Sequence, residues 1–384
     1  MAAIFFAVIL SVLTSSLKDG IFDNLIKNVV SFYTGYVQVH KAGYWDEQVL
    51  DNGMKYDKSL DSRILAVSQV TGVSPRLETF GLIATDINTK GCMVVGIDPD
   101  REDKVTGLKS KVTKGTCIVP GDKKVMLSEG LALRMKAGIG DTVYLIGQGY
   151  HGATSADKFE VKGLVRFGSP ELNNQLLYLS LEDARELYSA EDLATSAVIS
   201  LSNPGNPGLT TDALKQQLGN EYEIMSWEAM LPDVKQHIET DSNSMKYIQG
   251  ILYMLVSFGI FGTLLMMMVE RKYELGMLVA IGMKKSRLCA LMAIESVLTV
   301  LAGCALGILA SIPVVYYFNQ KPLKLGGEIA SIYERFGFEA VFPTSISPDN
   351  FISQGIIVMV IGLILSMYPV YKVLTIDPVT SMKR

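Results

Sequence analysis

Residues 270–288 read ERKYELGMLVAIGMKKSRL, a short charged segment wedged between two runs apolar enough to cross a bilayer. Before it, residues 247–269 hold no ionisable side chain except the Tyr247 phenol. After it, residues 289–318 hold a single carboxylate, Glu295. About 20 such residues cover a hydrocarbon core, so both runs are expected to be transmembrane helices. A further run at 351–371 carries no charge and qualifies as well. Residues 2–17 are uncharged but short, without the basic start and small-residue cleavage site of a signal peptide. They read as a first membrane helix short of its cytoplasmic beginning.

The pattern predicts a membrane protein: four transmembrane α-helices with a large extracytoplasmic α/β domain, residues 18–246, inserted between helices 1 and 2. Lys and Arg beside short loops are held in the cytoplasm, which sets the orientation. Segment 270–288 carries Arg271, Lys272, Lys284, Lys285 and Arg287, and the tail 372–384 adds Lys372, Lys383 and Arg384. Loop 319–350 instead balances Lys321, Lys324 and Arg335 against Glu328, Glu334, Glu339 and Asp349. Both chain ends and segment 270–288 are therefore expected inside, with residues 18–246 and the loop outside.

Composition agrees with this division. A mean hydropathy of +0.28, 49% hydrophobic residues and 18 Met suit a membrane protein, while 19% charged residues is too many for a helical bundle alone. A net charge of −4 leaves no basic stripe for nucleic acid once the juxtamembrane cations are assigned.

The outer segment is long enough to bury a core of its own. Strand-like runs, β-branched or aromatic and bounded by turn residues, occur at 36–40, 92–97, 141–146, 159–165, 176–179, 197–201 and 222–226. Ser180 stands three residues before Asp183, the spacing of a capping box, and Thr211-Asp212 precedes ALKQQL. Two lobes are expected: a mostly β lobe at about 114–188, and an α/β lobe built from the segments on both sides of it.

Several motifs carry a family resemblance. The series Glu270, Arg271, Glu274, Gly276, Leu278, Ala280 and Gly282 is similar to the loop after the second membrane helix in the FtsX-like permeases of ABC transporters. The tail, with Pro369, Asp377, Pro378 and Arg384, resembles the closing signature of the same family. In the outer domain, VGIDP at 95–99, LSEGLA at 127–132 and FEVKG at 159–163 are similar to the lipoprotein-releasing LolC and LolE subgroup. Glu295 followed by Gly303 and Gly307 is more like the MacB branch, and Asn173-Asn174 departs from the Lol pattern.

The resemblance implies mechanical work without catalysis by this chain. Relatives form a dimer, with a second permease copy or a paralogue, flanked by cytoplasmic ABC ATPase subunits. The chain has no G-x-x-x-x-G-K-[S/T] loop to cradle phosphates, so no cofactor is assigned to it and ATP belongs to the partner. The implied function is release of lipoproteins from the outer leaflet of a bacterial inner membrane by mechanotransmission, with a periplasmic lipoprotein carrier or adaptor as a further partner. MacB-like export of peptides or drugs, and FtsX-like signalling to a cell-wall hydrolase, are the alternatives.

Residue spacing bears on the coupling role independently. On a helix, Leu275, Leu278, Val279 and Gly282 share one face while Arg271, Lys272 and Glu274 point elsewhere. That face suits either a partner's groove or lipid headgroups, helped by Lys284, Lys285 and Arg287. An isolated Glu295 in an apolar run costs about 2.5–3.5 kcal/mol. It reads as a carboxylate near the interface satisfied by backbone, Ser296 or Thr299, or as a polar contact across the bundle. Gly303-x-x-x-Gly307 permits close helix approach.

His40, His151 and His237 show no metal-ligand spacing and are expected at the solvated surface or at edges. Cys92 and Cys117 lie where a disulfide is permitted, and Cys289 and Cys304 read as packing residues. Trp227 reads as part of a stalk or as a core residue. The turn at 147–152 reads as a protruding contact loop or as a plain hairpin tip.

Overall fold

The computed structural model describes residues 1–167, 169–203, 205–324, 326–327 and 341–374. They divide into two compact units, one formed by residues 1–24, 236–324 and the segment from 341 onward, the other mainly by residues 25–235.

Helices of the first unit that are long and apolar enough to cross a membrane number four among the described residues. They are α1 (Ala2–Val29), α9 (Pro232–Ala280), α10 (Lys285–Gln320) and α11 (Pro348–Leu374). Elements α2–α8 belong to the other unit. The expected end of helix 1 at residue 17 is corrected: the helix runs on, because its polar continuation is accommodated. Lys18 pairs with Asp19 at 3.0 Å, the Ser16 carbonyl accepts from the Ser345 amide at 2.8 Å, and the Asn24 amide donates to the Val341 carbonyl at 3.3 Å.

Ile4, Val8 and Val12 of α1, Ile260 and Leu264 of α9, Val300 and Cys304 of α10 and Val358 of α11 form the bundle core. The Gly303-x-x-x-Gly307 spacing has a physical use. A methyl group on Gly303 would come within 3.0 Å of Ile4, and one on Gly307 within 2.7 Å of Val8, so α1 lies in a groove only glycine leaves open. A polar cluster crosses the same bundle: Tyr253 of α9 donates to Gln354 of α11, and Gln354 and Asn350 both contact Ser15 of α1.

The second unit is built around strands β1 (Val37–Lys41), β3 (Val70–Ala84), β4 (Thr89–Ile97), β5 (Val112–Gly115), β6 (Lys124–Ser128), β7 (Thr142–Gln148), β8 (Thr154–Val165), β9 (Leu176–Ser180), β11 (Ser196–Leu201) and β12 (Tyr222–Ser226), with β2 (Met54–Lys55) paired to β10 (Leu193–Ala194). Six of them close on themselves, β3 to β4, β4 to β9, β9 to β6, β6 to β8, β8 to β7 and β7 back to β3. Closure leaves no open edge, and alternate residues fill the interior: Leu77, Ile83, Val94, Leu127, Val143, Leu145, Phe159, Val161 and Leu177 are buried together.

This β lobe begins before residue 114, contrary to expectation, because it takes in β4 and the second half of β3. The first half of β3 pairs with β11, which pairs with β1 and β1 with β12. That antiparallel sheet carries α2 (Lys58–Leu65) and α7 (Pro207–Leu218) around Val39, Leu60, Ile64, Ile199 and Leu214. One 15-residue strand thus belongs to both lobes.

Local chemistry sets the helix starts. Asp98 caps α3 (Pro99–Thr106) through the amides of Asp100 and Arg101, with Pro99 at the first helical position. Ser180 caps α6 (Leu181–Leu187) by accepting from Asp183. The Thr211-Asp212 start is corrected, since α7 begins four residues earlier at Pro207 and Thr211 donates back to the Pro207 carbonyl. Among the described residues the other α-helices are α4 (Glu129–Met135), α5 (Pro170–Gln175) and α8 (Trp227–Met230).

Candidate coupling site

Segment 270–288 is not a separate helix. Lys272 to Ala280 continue α9, since Glu, Leu, Met and Ala favour helix, and a glycine then stops it. Gly282 has φ +101°. The Met283 amide donates to the Leu278 carbonyl at 3.1 Å and the Gly282 amide to the Val279 carbonyl at 3.0 Å, the paired bonds of a Schellman terminus. The glycine of the A-x-G motif is therefore a helix stop, and α10 starts three residues later.

The apolar face packs partly within the chain. Leu275 is buried with Met268 of α9, Leu288 and Met292 of α10 and Val373 of α11, with Leu278 and Val279 packed against them; Gly276 is buried too. Leu278 and Val279 stay half-buried and Gly282 is exposed, so that face is covered only in part within the chain. What remains exposed is Arg271, Lys272, Glu274, Ala280 and Gly282, together with an apolar tip of Met277, Ile281 and Met283 beside Lys284, Lys285 and Arg287. Ile281 is 77% exposed. The tip is fixed from behind, because Lys285 Nζ donates to the Leu374 carbonyl at 3.0 Å.

Glu295 meets Arg271, whose Nη1 lies 2.6 Å from the carboxylate Oε2. Two residues singled out for unrelated reasons form one ion pair linking α9 to α10, so the carboxylate is not left to backbone, Ser296 or Thr299. Pro369 is buried within α11. Asp377 and Pro378 lie outside the described residues.

The second unit holds a buried charge cluster that sequence reading missed. Arg76 of β3 and Glu102 of α3 are fully buried, 2.6 Å apart from Nη2 to Oε1. Ser74 and Thr106 donate to the same carboxylate. Burial pushes the Glu102 carboxyl up, but Arg76 and the two hydroxyls outweigh it and hold it below the ordinary value. Arg76 also lies 3.5 Å from Glu78 and over the Tyr33 ring, and Tyr33 donates to Glu78. Tyr33 sits in the turn that follows α1, Val30–Thr34, so the cluster grips the chain where it enters this unit. The place where the chain leaves is adjacent: β1 pairs with β12 from Val37↔Ser226 to Lys41↔Tyr222, and the Trp227 amide donates to the Tyr36 carbonyl at 3.0 Å. Trp227 is buried as a core residue.

Other expectations resolve differently. His40 is buried rather than solvated, stacked on Tyr44, with Nδ1 3.0 Å from the Thr195 carbonyl. His151 and His237 are exposed. Cys92 and Cys117 are both free. The turn at 147–152 does not protrude, since the Tyr150 amide donates to the Tyr188 carbonyl at 2.8 Å and the His151 amide to Asp51 at 2.8 Å. No group of three or more His, Cys, Asp or Glu is placed to hold a metal among the described residues.

Residues 1–218 match the MacB-like periplasmic core domain family, and residues 248–378 the FtsX-like permease C-terminal family. The chain belongs to the FtsX-like permeases of ABC transporters. This permease is 19% identical over 324 residues to the lipoprotein-releasing system transmembrane protein LolC of Xylella fastidiosa, covering 82% of this chain and 78% of the relative. It is 27% identical over 162 residues to the macrolide export ATP-binding/permease protein MacB of Escherichia coli, covering 42% of this chain and 23% of that one. Among solved structures, the periplasmic region of MacB from Actinobacillus actinomycetemcomitans aligns with 56% of this permease and 97% of that region, at 18% identity and a TM-score of 0.38.

Proposed function

We propose that this FtsX-like permease is the non-catalytic membrane subunit of an ATP-driven complex that releases lipoproteins from the outer leaflet of the bacterial inner membrane. The observation that carries the reading is the extent of the LolC similarity, which runs through both the outer domain and the membrane helices. In this scheme a cytoplasmic ABC ATPase seats on the Met277, Ile281 and Met283 tip, with Lys284, Lys285 and Arg287 at its rim. The tip cannot move alone. Leu275 packs it onto α10 and α11, and the Arg271–Glu295 pair ties α9 to α10, so a push on the tip displaces packed helices. α9 carries that displacement along 49 residues, about 74 Å at 1.5 Å per residue. A second permease copy or paralogue and a periplasmic carrier complete the assembly.

The similarity to MacB and the match to its periplasmic domain family support export of peptides or drugs as a second reading. Purification of the complex from native membranes distinguishes the two. Co-purifying ATPase with a lipoprotein that leaves proteoliposomes on ATP addition supports the first. Co-purifying ATPase with an outer-membrane channel, and no ATP-dependent lipoprotein release, refutes it in favour of the second.

A further inference from the structure

The outside of the closed β lobe carries an apolar strip. Phe80 and Leu82 of β3 point away from the core that holds Ile83, and Ile146 of β7 stands opposite Leu82 in register. They are 65%, 46% and 43% exposed, and all three line one cavity of about 640 Å³. Ligand cavities have this size and character, mostly apolar with a few polar groups.

The polar lining has one sign. Lys90 and Arg134 line the cavity with the amides of Asn174 and Gln175, and no carboxylate does. Neither cation has a salt-bridge partner among the described residues, in a chain whose net charge is −4. The neighbouring cavity at Lys55 and Arg185 is different, since Glu186, Glu191 and Asp192 line it too and balance its charge. Large apolar side chains left in water beside two unpaired cations complement an apolar chain ending in an anion.

We propose that this cavity binds an anionic amphiphile, with its acyl chain along Phe80, Leu82 and Ile146 and its carboxylate or phosphate on Lys90 and Arg134. The proposal rests on the cavity alone and stands or falls apart from the cargo of the complex. Gly91, which lines the cavity, supplies a way to close the site, because a Cβ there would meet no atom within 4 Å and a larger side chain can start toward the cavity without displacing backbone.

The test is photo-labelling of the full chain in phosphatidylcholine nanodiscs with diazirine-bearing palmitate, its neutral methyl ester, or diazirine-bearing phosphatidylglycerol, with mass-spectrometric mapping. Labelling is expected on the peptides carrying Phe80–Leu82 and Ile146. It should fall about tenfold for Gly91→Leu, for Lys90→Gln combined with Arg134→Gln, and for the ester, as loss of charge-assisted hydrogen bonds implies. Palmitate labelling identifies a free fatty acid as the ligand, and labelling by phosphatidylglycerol alone identifies a phospholipid. Labelling spread over the outer domain, equal labelling by the ester, or cavity labelling that the variants leave unchanged overturns the proposal. Should Gly91→Leu fail to fold by circular dichroism, the charge variant decides alone.

Discussion

Replacing Glu102 with Leu should strand a guanidinium in the interior of the outer unit. Arg76 is fully buried, and Glu102 gives it two of its hydrogen bonds, at 2.6 and 3.1 Å. Among the described residues the one carboxylate left to it is Glu78, at 3.5 Å and slightly open to water. Breaking a buried pair by removing one partner costs about 3–5 kcal/mol. With a urea dependence of about 2–3 kcal/mol per molar, the unfolding midpoint should fall by about 1–2.5 M. The assay is selective, because the chain has two tryptophans, Trp45 and Trp227, and both lie in the outer unit. Their fluorescence reports on that unit while the membrane helices stay folded. Adding Arg76→Met to Glu102→Leu removes the orphaned charge and should restore most of the loss, since apolar replacement of a whole buried pair is often neutral. A single variant that shifts the midpoint by less than about 0.3 M, or a double variant as unstable as the single, refutes the reasoning.

Reversing either charge, Arg271→Glu or Glu295→Arg, should cut the yield of monodisperse protein on size exclusion, and the double reversal should recover it; a double variant no better than the singles rules out the pair as the cause. Ile281→Asp should abolish ATPase co-purification while the protein elutes normally, whereas Leu275→Asp should aggregate, as a carboxylate buried without a partner must. Gly307→Val should lower the melting temperature in detergent by several degrees, the effect of about 1–3 kcal/mol of overpacking, and Gly250→Ala, where a methyl group meets nothing, should not. Burial pulls the Lys111 ammonium down to about 7, so between there and the ordinary lysine value the unfolded chain binds the extra proton and stability rises with pH. Lys111→Met should therefore stabilise most at about pH 6, with its advantage in urea midpoint shrinking by about pH 9.

The membrane helices and most outer strands were legible because an uninterrupted apolar run of about 20 residues suits a bilayer, and short β-branched runs between turn residues suit a strand. β3 was not, although it is the longest strand: Gly72, Pro75, Arg76, Glu78 and Gly81 all argue against a strand, and tertiary pairing on both sides overrides them. The sequence suggests an end to helix 1 at residue 17 because Lys18 and Asp19 look like an exit to water, when they are in fact each other's partner. The motif at 270–282 was visible, but not the direction in which its apolar face packs, since periodicity says that a face is buried and not by what. Glu102 lies in a run of charges at Asp98–Asp103 that reads as solvated helix; its partner is 26 residues away on β3, a distance that carries no local signal.

The pairing of β1 with β12 has a mechanical consequence. The strands are antiparallel, and Val37, where the chain comes in, stands opposite Ser226, where it goes out. Tension that draws both segments the same way loads the two strands together and spreads across the sheet through β11 and β3. Tension that draws them apart opens the pair like a zip fastener, one rung at a time, beginning with the bond between Trp227 and Tyr36. The same ladder is a stiff handle to a concerted pull and a weak seam to a divergent one.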